Sequence, residues 1–242
     1  MKRGEESLTE NSPRPLASKI EMDRDLQALR AASIQLLGGL ACAVSFLILF
    51  AWLSEEVFEG ELQQFDSRVR AMVHAFSTPQ LTGVMQALTF LGSLQFLSAL
   101  FIVFVILFLA RGMRRAAMWF AVAVGGSVIL DAVLKLAFHR SRPVPFFGVA
   151  PPSYSFPSGH AMSSFCFYGV FAGLYSARIR SRVARLVTWI ASATLIAGIG
   201  LSRIYLGVHY PTDVVAGYLA GAVWVSTLLF VDHLGSRRPK AP

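Results

Sequence analysis

Three clusters of residues in this 242-residue chain carry side chains suited to holding a phosphate. Lys135 is followed, after six residues, by Arg142-Pro143. A second cluster reads Pro157-Ser158-Gly159-His160. The third is Ser202-Arg203, then five residues, His209, three residues, and Asp213. Phosphoryl transfer needs charge neutralisation around non-bridging oxygens more than it needs covalent chemistry. Lys135, Arg142 and Arg203 offer three positive charges. Arginine suits the task because its planar fork can donate two hydrogen bonds to one phosphate. Ser158 can donate its hydroxyl, and Gly159 lets backbone approach the phosphate closely. The start of the helix expected after Gly159 adds free N–H groups and a positive dipole end.

With these clusters the chain resembles the type 2 phosphatidic acid phosphatase family, which shares its site with vanadium haloperoxidases. The family pattern, K-x6-RP, then PSGH, then SR-x5-H-x3-D, is met at every fixed position. The resemblance extends over about residues 60–231. It implies that His209 attacks phosphorus and forms a phosphohistidine. Asp213 would take a hydrogen bond from the other ring nitrogen and hold the reactive tautomer. His160 would protonate the leaving oxygen, then deprotonate the attacking water. Lys135, Arg142, Ser158, Gly159 and Arg203 would bind phosphate. No metal or other cofactor is expected, since the basic residues do what magnesium does elsewhere, and no acidic cluster has metal-ligand spacing.

The elements that carry these residues are legible from charge spacing. Apolar residues make up 55% and charged residues only 15%, with a mean hydropathy of +0.56. Soluble domains carry about a quarter charged residues. Here the charges are bunched between long uncharged stretches, as in an all-α, polytopic helical membrane protein. Membrane-barrel strands would alternate over about ten residues, and these stretches do not. Six spans are expected, at about 31–53, 88–110, 116–138, 160–177, 186–202 and 213–231, forming one domain over 31–231. Ala71 to Ala110 holds no Asp, Glu, Lys or Arg. That is too long for one untilted span, so a short entry helix is placed before residue 88. Residues 54–80 read as an amphipathic interfacial helix, broken near Pro79. His209 is expected just before the last helix, because Pro211 fits a first turn better than an interior.

Residues 1–30 carry six acidic and six basic residues and read as a flexible cytosolic tail, and 232–242 as a second cytosolic tail. The first apolar run starts too late and runs too long for an ordinary cleaved signal peptide. Arg111, Arg114 and Arg115, then Arg178, Arg180, Arg182 and Arg185, then the C-terminal basic residues share one side of a six-span chain. The positive-inside rule makes that side cytosolic. All three clusters then fall at the outer ends of spans three to six, facing away from the cytosol, in what reads as a bacterial inner membrane. A net charge of +8 raises a nucleic-acid partner, but the Lys and Arg residues sit at span ends, where they orient helices or meet headgroups. Cys42 and Cys166 fit neither a metal spacing nor a disulfide framework.

The partners expected are therefore the bilayer and a lipid phosphate. Undecaprenyl diphosphate comes first, with phosphatidylglycerol phosphate, phosphatidate and a lipid A phosphate beside it. Rivals are a lipid phosphotransferase using the same phosphohistidine, a vanadate-holding haloperoxidase, which six spans disfavour, and a transporter or scaffold that has lost catalysis. The oligomeric state is not readable. Asp131 is expected to pair with Lys135 one turn on and to aim it. His139 and Arg140 either touch a second phosphate or headgroup, or are simply solvated. Tyr205 and Tyr210 flank the third cluster. His74 and His233 read as structural, and Phe101, Phe104 and Phe108 as lipid-facing or packing residues.

Overall fold

A computed structural model of the chain describes residues 14–149 and 151–235. The described residues are helical, with no strand among them. Helix α1 is Arg14–Glu59, α2 Gln63–Ala75, α3 Pro79–Leu91, α4 Leu94–Ala110 and α5 Arg114–Phe138. After a long loop come α6, Gly159–Ser164, a π-helical turn, Phe165–Gly169, and α7, Val170–Ser176. Helices α8, Arg182–Tyr205, and α9, Pro211–Gly235, complete the chain.

Helix boundaries follow local chemistry. Thr78 caps α3 by accepting from the Leu81 N–H at 3.2 Å, with Pro79 in the first turn. Ser93 caps α4 the same way through Phe96 N–H. Helix α4 ends where Gly112, at φ +71°, lets Met113 N–H reach back to Phe108 O. Ser181 caps α8, and Pro211 opens α9. His209 therefore lies in the loop before α9, as its neighbouring proline implied.

By length and apolarity the described helices support four or five of the six spans expected. Among the described residues four helices are long and apolar enough to cross: Leu37–Glu59, Arg114–Phe138, Arg182–Tyr205 and Pro211–Leu234. The pair α3 and α4, bent by 48°, would make a fifth. The stretch expected at 160–177 is helical, but the π turn divides it into pieces each too short to count alone. The span expected from residue 88 is likewise interrupted, because the Ser93 cap restarts the helix at Leu94. Residues 14–30, read from sequence as a flexible tail, belong to α1. Residues 1–13 and 236–242 of the two expected tails lie outside the described residues.

Packing brings the functional ends together. Helix α1 runs along α9, α3 along α8, and α6 sits between α8 and α9. Gly217 is what lets α6 and α9 approach: a Cβ there would lie 2.5 Å from the Ser158 carbonyl oxygen. At the other end of the bundle Phe108, Phe120 and Phe167 form an aromatic core, with Phe101 and Phe104 packed against it.

Candidate active site

A cavity of about 330 Å³ opens at the end of the bundle where α5 stops and α9 starts. Its lining includes Lys135, Arg142, Gly159, His160, Arg203 and His209, six of the eight residues expected from sequence. Ser158 and Asp213 lie behind this wall, both fully buried.

Lys135 comes from the last turn of α5. Its Nζ donates to both Asp131 oxygens, at 2.9 and 2.6 Å. Asp131 in turn is pressed against α6: a Cβ on Gly159 would fall 2.8 Å from Asp131 Oδ2 and 2.9 Å from Oδ1. The glycine thus makes room for a carboxylate, a reason different from the phosphate approach inferred from sequence.

Arg142 lies on the loop beyond α5. Its Nε and Nη2 donate to Ser153 O and Oγ at 2.7 and 2.9 Å. Its Nη1 donates to Val208 O and to His209 Nε2, both at 2.9 Å. Burial lowers the Arg142 pKa, while the charges of Asp213 and Asp131 oppose that fall. Arg203, in the last turn of α8, donates to Thr89 Oγ1 of α3, and its buried Nε has no protein partner. Ser158 Oγ is also buried without one. An unmatched buried donor costs about 1–3 kcal/mol, so two beside one cavity mark a place where a polar ligand would restore the lost bonds.

His209 is 1% exposed. Its Nδ1 faces Asp213 Oδ2 at 3.4 Å. Oδ2 also accepts from Tyr210 N–H at 2.8 Å and from Ser155 Oγ, which fixes the carboxylate. A carboxylate only accepts, so the ring proton belongs on Nδ1 and the Nε2 lone pair turns toward Arg142 and the cavity. Burial pushes the imidazole pKa down to about 4, and the nearby Arg203 and Arg142 charges act in the same direction. The Asp213 hydrogen bond and charge pull it up by less. His209 is therefore neutral at pH 7, the form in which Nε2 is a nucleophile.

Arg140 departs from both roles considered for it. It neither faces solvent freely nor lines the cavity, but joins Asp66 to Asp213, with Nη2–Oδ2 at 2.8 Å and Nη1–Oδ1 at 2.6 Å. Asp66, on α2, is completely buried and also accepts from Thr212 N–H and Oγ1. Sequence reading placed Asp66 only within an amphipathic helix. Its spacing from Arg70 and His74, at i+4 and i+8, was a readable sign of one inward polar face. Thr89, Ser153 and Ser155 had no signal in the sequence. Tyr205 packs away from the cavity, its hydroxyl against Thr82, while the Tyr210 ring lies under Arg140 at 4.2 Å.

The family model of the PAP2 superfamily matches residues 116–234. Phosphatidylglycerophosphatase B of Bacillus subtilis is 31% identical over 185 residues, covering 74% of this chain and 88% of that protein. An undecaprenyl-diphosphatase of Sulfolobus acidocaldarius is 33% identical over 108 residues, covering 42% of this chain and 48% of its own. The crystal structure of the transmembrane PAP2-type phosphatidylglycerolphosphate phosphatase from Bacillus subtilis superposes with a TM-score of 0.74. It is 27% identical, covering 83% of this chain and 99% of that one.

Proposed function

The chain belongs to the PAP2 superfamily and is a phosphatase of that family, and we propose that it hydrolyses a lipid phosphate or diphosphate through a phosphohistidine on His209. The observation that carries this reading is the Nε2 lone pair of a neutral, buried imidazole at the wall of a cavity shared by three cationic side chains and a second histidine.

In the first half-reaction His209 Nε2 attacks phosphorus and the bond from phosphorus to the leaving lipid oxygen breaks. Arg142 Nη1 gives up Nε2 as acceptor and takes a phosphoryl oxygen instead. Lys135, Arg203 and Ser158 Oγ neutralise or bond the remaining oxygens, acting where charge spreads in a loose transition state. A proton carried in on the phosphate monoanion passes to His160, which delivers it to the leaving oxygen. In the second half His160 takes a proton from water, the water oxygen attacks phosphorus, and the P–N bond breaks. Inorganic phosphate leaves and His209 is restored. Asp213 balances the positive charge that the ring carries while phosphorylated.

An amphiphilic substrate fits the rest of the cavity wall. Leu94 and Val128 line it and are themselves 58% and 38% exposed, so an apolar tail can leave the site along α4 and α5 toward the bilayer. The stretch 159–176 is about 27 Å long at helical rise and serves as a further span, giving six. The basic ends of the helices then lie in the cytosol with both termini, and the cavity opens on the outer face of the cell membrane. The likeness to the phosphatidylglycerophosphatase covers more of the chain than that to the undecaprenyl-diphosphatase, so both lipids head the substrate list, with phosphatidate and a lipid A phosphate beside them.

The test is phosphate release by the purified protein, with EDTA present, from each lipid presented alone. Release from at least one lipid without an added acceptor is expected. Turnover only when a second lipid is supplied would instead indicate a phosphotransferase.

A further inference from the structure

A chain of charges reaches the proposed nucleophile from outside the residues matched by the family model. Asp66 on α2 is completely buried, and its Oδ2 accepts from Arg140 Nη2 at 2.8 Å and Thr212 Oγ1 at 2.6 Å. Its Oδ1 accepts from Thr212 N–H at 3.1 Å. The other end of the Arg140 fork, Nη1, bonds Asp213 Oδ1 at 2.6 Å and Thr212 Oγ1 at 2.8 Å. Asp213 Oδ2 faces His209. Four residues from α2, the α5–α6 loop and the α8–α9 loop and α9 thus stand in one line: Asp66, Arg140, Asp213, His209.

The arithmetic of charge makes this line more than a brace. Arg140 alone against Asp213 would form a neutral pair, with nothing left over for a positive ring. Asp66 shares the guanidinium, so Asp66, Arg140 and Asp213 sum to one negative charge; the Arg70 guanidinium on α2 attracts both carboxylates as well, so removing Asp66 would leave the group around Asp213 one charge more positive. In a site of low dielectric the Asp66 charge counts for more than it would in water. It is present before phosphorylation places a positive charge on the ring, and it needs no rearrangement when that happens.

We propose that Asp66 is a positioning residue for the reaction: through the Arg140 fork it holds the Asp213 carboxylate against His209 and preserves that carboxylate's negative charge for the phosphorylated ring. The inference rests on the reading of His209 as nucleophile. It also assigns a role to α2, which exposes Phe65 and Met72 on its outer face and turns Asp66 inward toward the site.

The experiment compares Asp66→Asn, Asp66→Glu, Arg140→Lys and His209→Ala with the wild type in phosphate release, each normalised to folded, monodisperse protein. Asp66→Asn removes the extra negative charge. A fall in kcat of about tenfold is expected, with KM within about twofold, because the loss is felt where the ring turns positive. The acid limb of the pH profile is expected to move to lower pH, since removing a negative charge disfavours the imidazolium. The other groups facing His209 remain in place: Asp213 from α9, Arg142 and Ser155 from the loop, Arg203 from α8, His160 from α6, with Lys135 of α5 across the cavity. Asp66→Glu is expected to return the limb to its wild-type position. A residue serving only as a brace would lower the yield of folded protein and leave kcat and the limb of the folded fraction unchanged. Should Asp66→Asn not accumulate, Arg140→Lys carries the test. It keeps the charge but has no fork to span two carboxylates, so kcat must fall at unchanged KM. An inactive His209→Ala together with wild-type kcat and limb in Asp66→Asn, or in Arg140→Lys, overturns the relay alone. A fully active His209→Ala overturns the nucleophile reading and the relay with it.

Discussion

Arg142 Nη1 donates to His209 Nε2 at 2.9 Å while the rest of the same guanidinium is tied to Ser153. One side chain therefore holds the lone pair of the proposed nucleophile in the direction of the cavity and is itself held by a loop. Lysine cannot do both, because a single ammonium has no second edge. Arg142→Lys is expected to lower kcat/KM by roughly 100-fold, the scale of losing one preorganised donor at developing charge. Steady-state phosphate release measures it, and a change of less than about threefold would mean that the fork plays no part.

The low pKa of His209 fixes the acid side of the pH profile. Burial holds the folded-state value near 4, below the ordinary 6.5. The free enzyme should keep its kcat/KM from pH 7 down toward pH 5 and lose it as pH falls through about 4. Stability follows the same sign. The unfolded chain binds the proton first, so the contribution from this group is intact above pH 6.5 and declines as pH drops from there toward 4. Detergent-solubilised protein assayed and melted across pH 4–8 would show both. An activity limb near 6.5 would contradict the assignment.

Gly159 is expected to matter through Asp131. A Cβ at 159 falls within 3.0 Å of three carboxyl atoms of Asp131, which holds Lys135 at 2.6 Å. Gly159→Ala should displace the pair and cost about tenfold in kcat/KM. Adding Gly159→Ala to Asp131→Ala should then cost much less than it does alone, since the clash is gone. Such non-additivity is what neighbours in contact show, and fully additive losses would place the effect of Gly159 elsewhere. Asp131→Asn separately tests whether the pair aims Lys135. Unchanged activity and unchanged protein level would end that idea.

Much of the site was legible because its residues are close in sequence to their own helix ends. Lys135, Arg142, Ser158, Gly159, His160, Arg203, His209 and Asp213 sit at or just beyond the ends of α5, α6, α8 and α9, so helix ends read from charge spacing and local punctuation bring them near one another. Asp66 was not legible as a partner of Arg140 and Thr212, because nothing in the sequence between them records that α2 packs against the start of α9. Arg140 was read as touching a second phosphate or headgroup, or as solvated, for the same reason: both its carboxylates are remote in sequence. The elbow between α3 and α4 could have been found, since Gly92-Ser93 is a stop followed by a cap. The π turn at Phe165–Gly169 has no such punctuation, and an apolar run gives no sign of a turn one residue wider.

The residue to which phosphate becomes attached decides the mechanism most directly. Purified protein mixed with a turned-over lipid substrate, quenched in base within milliseconds to seconds, digested and analysed by mass spectrometry should yield one phosphorylated peptide. The modification should be stable to base, labile to acid, and located at His209. It should be absent from His209→Ala, which should also release no phosphate. A phosphate found on another residue, or full hydrolysis by His209→Ala, would contradict the mechanism.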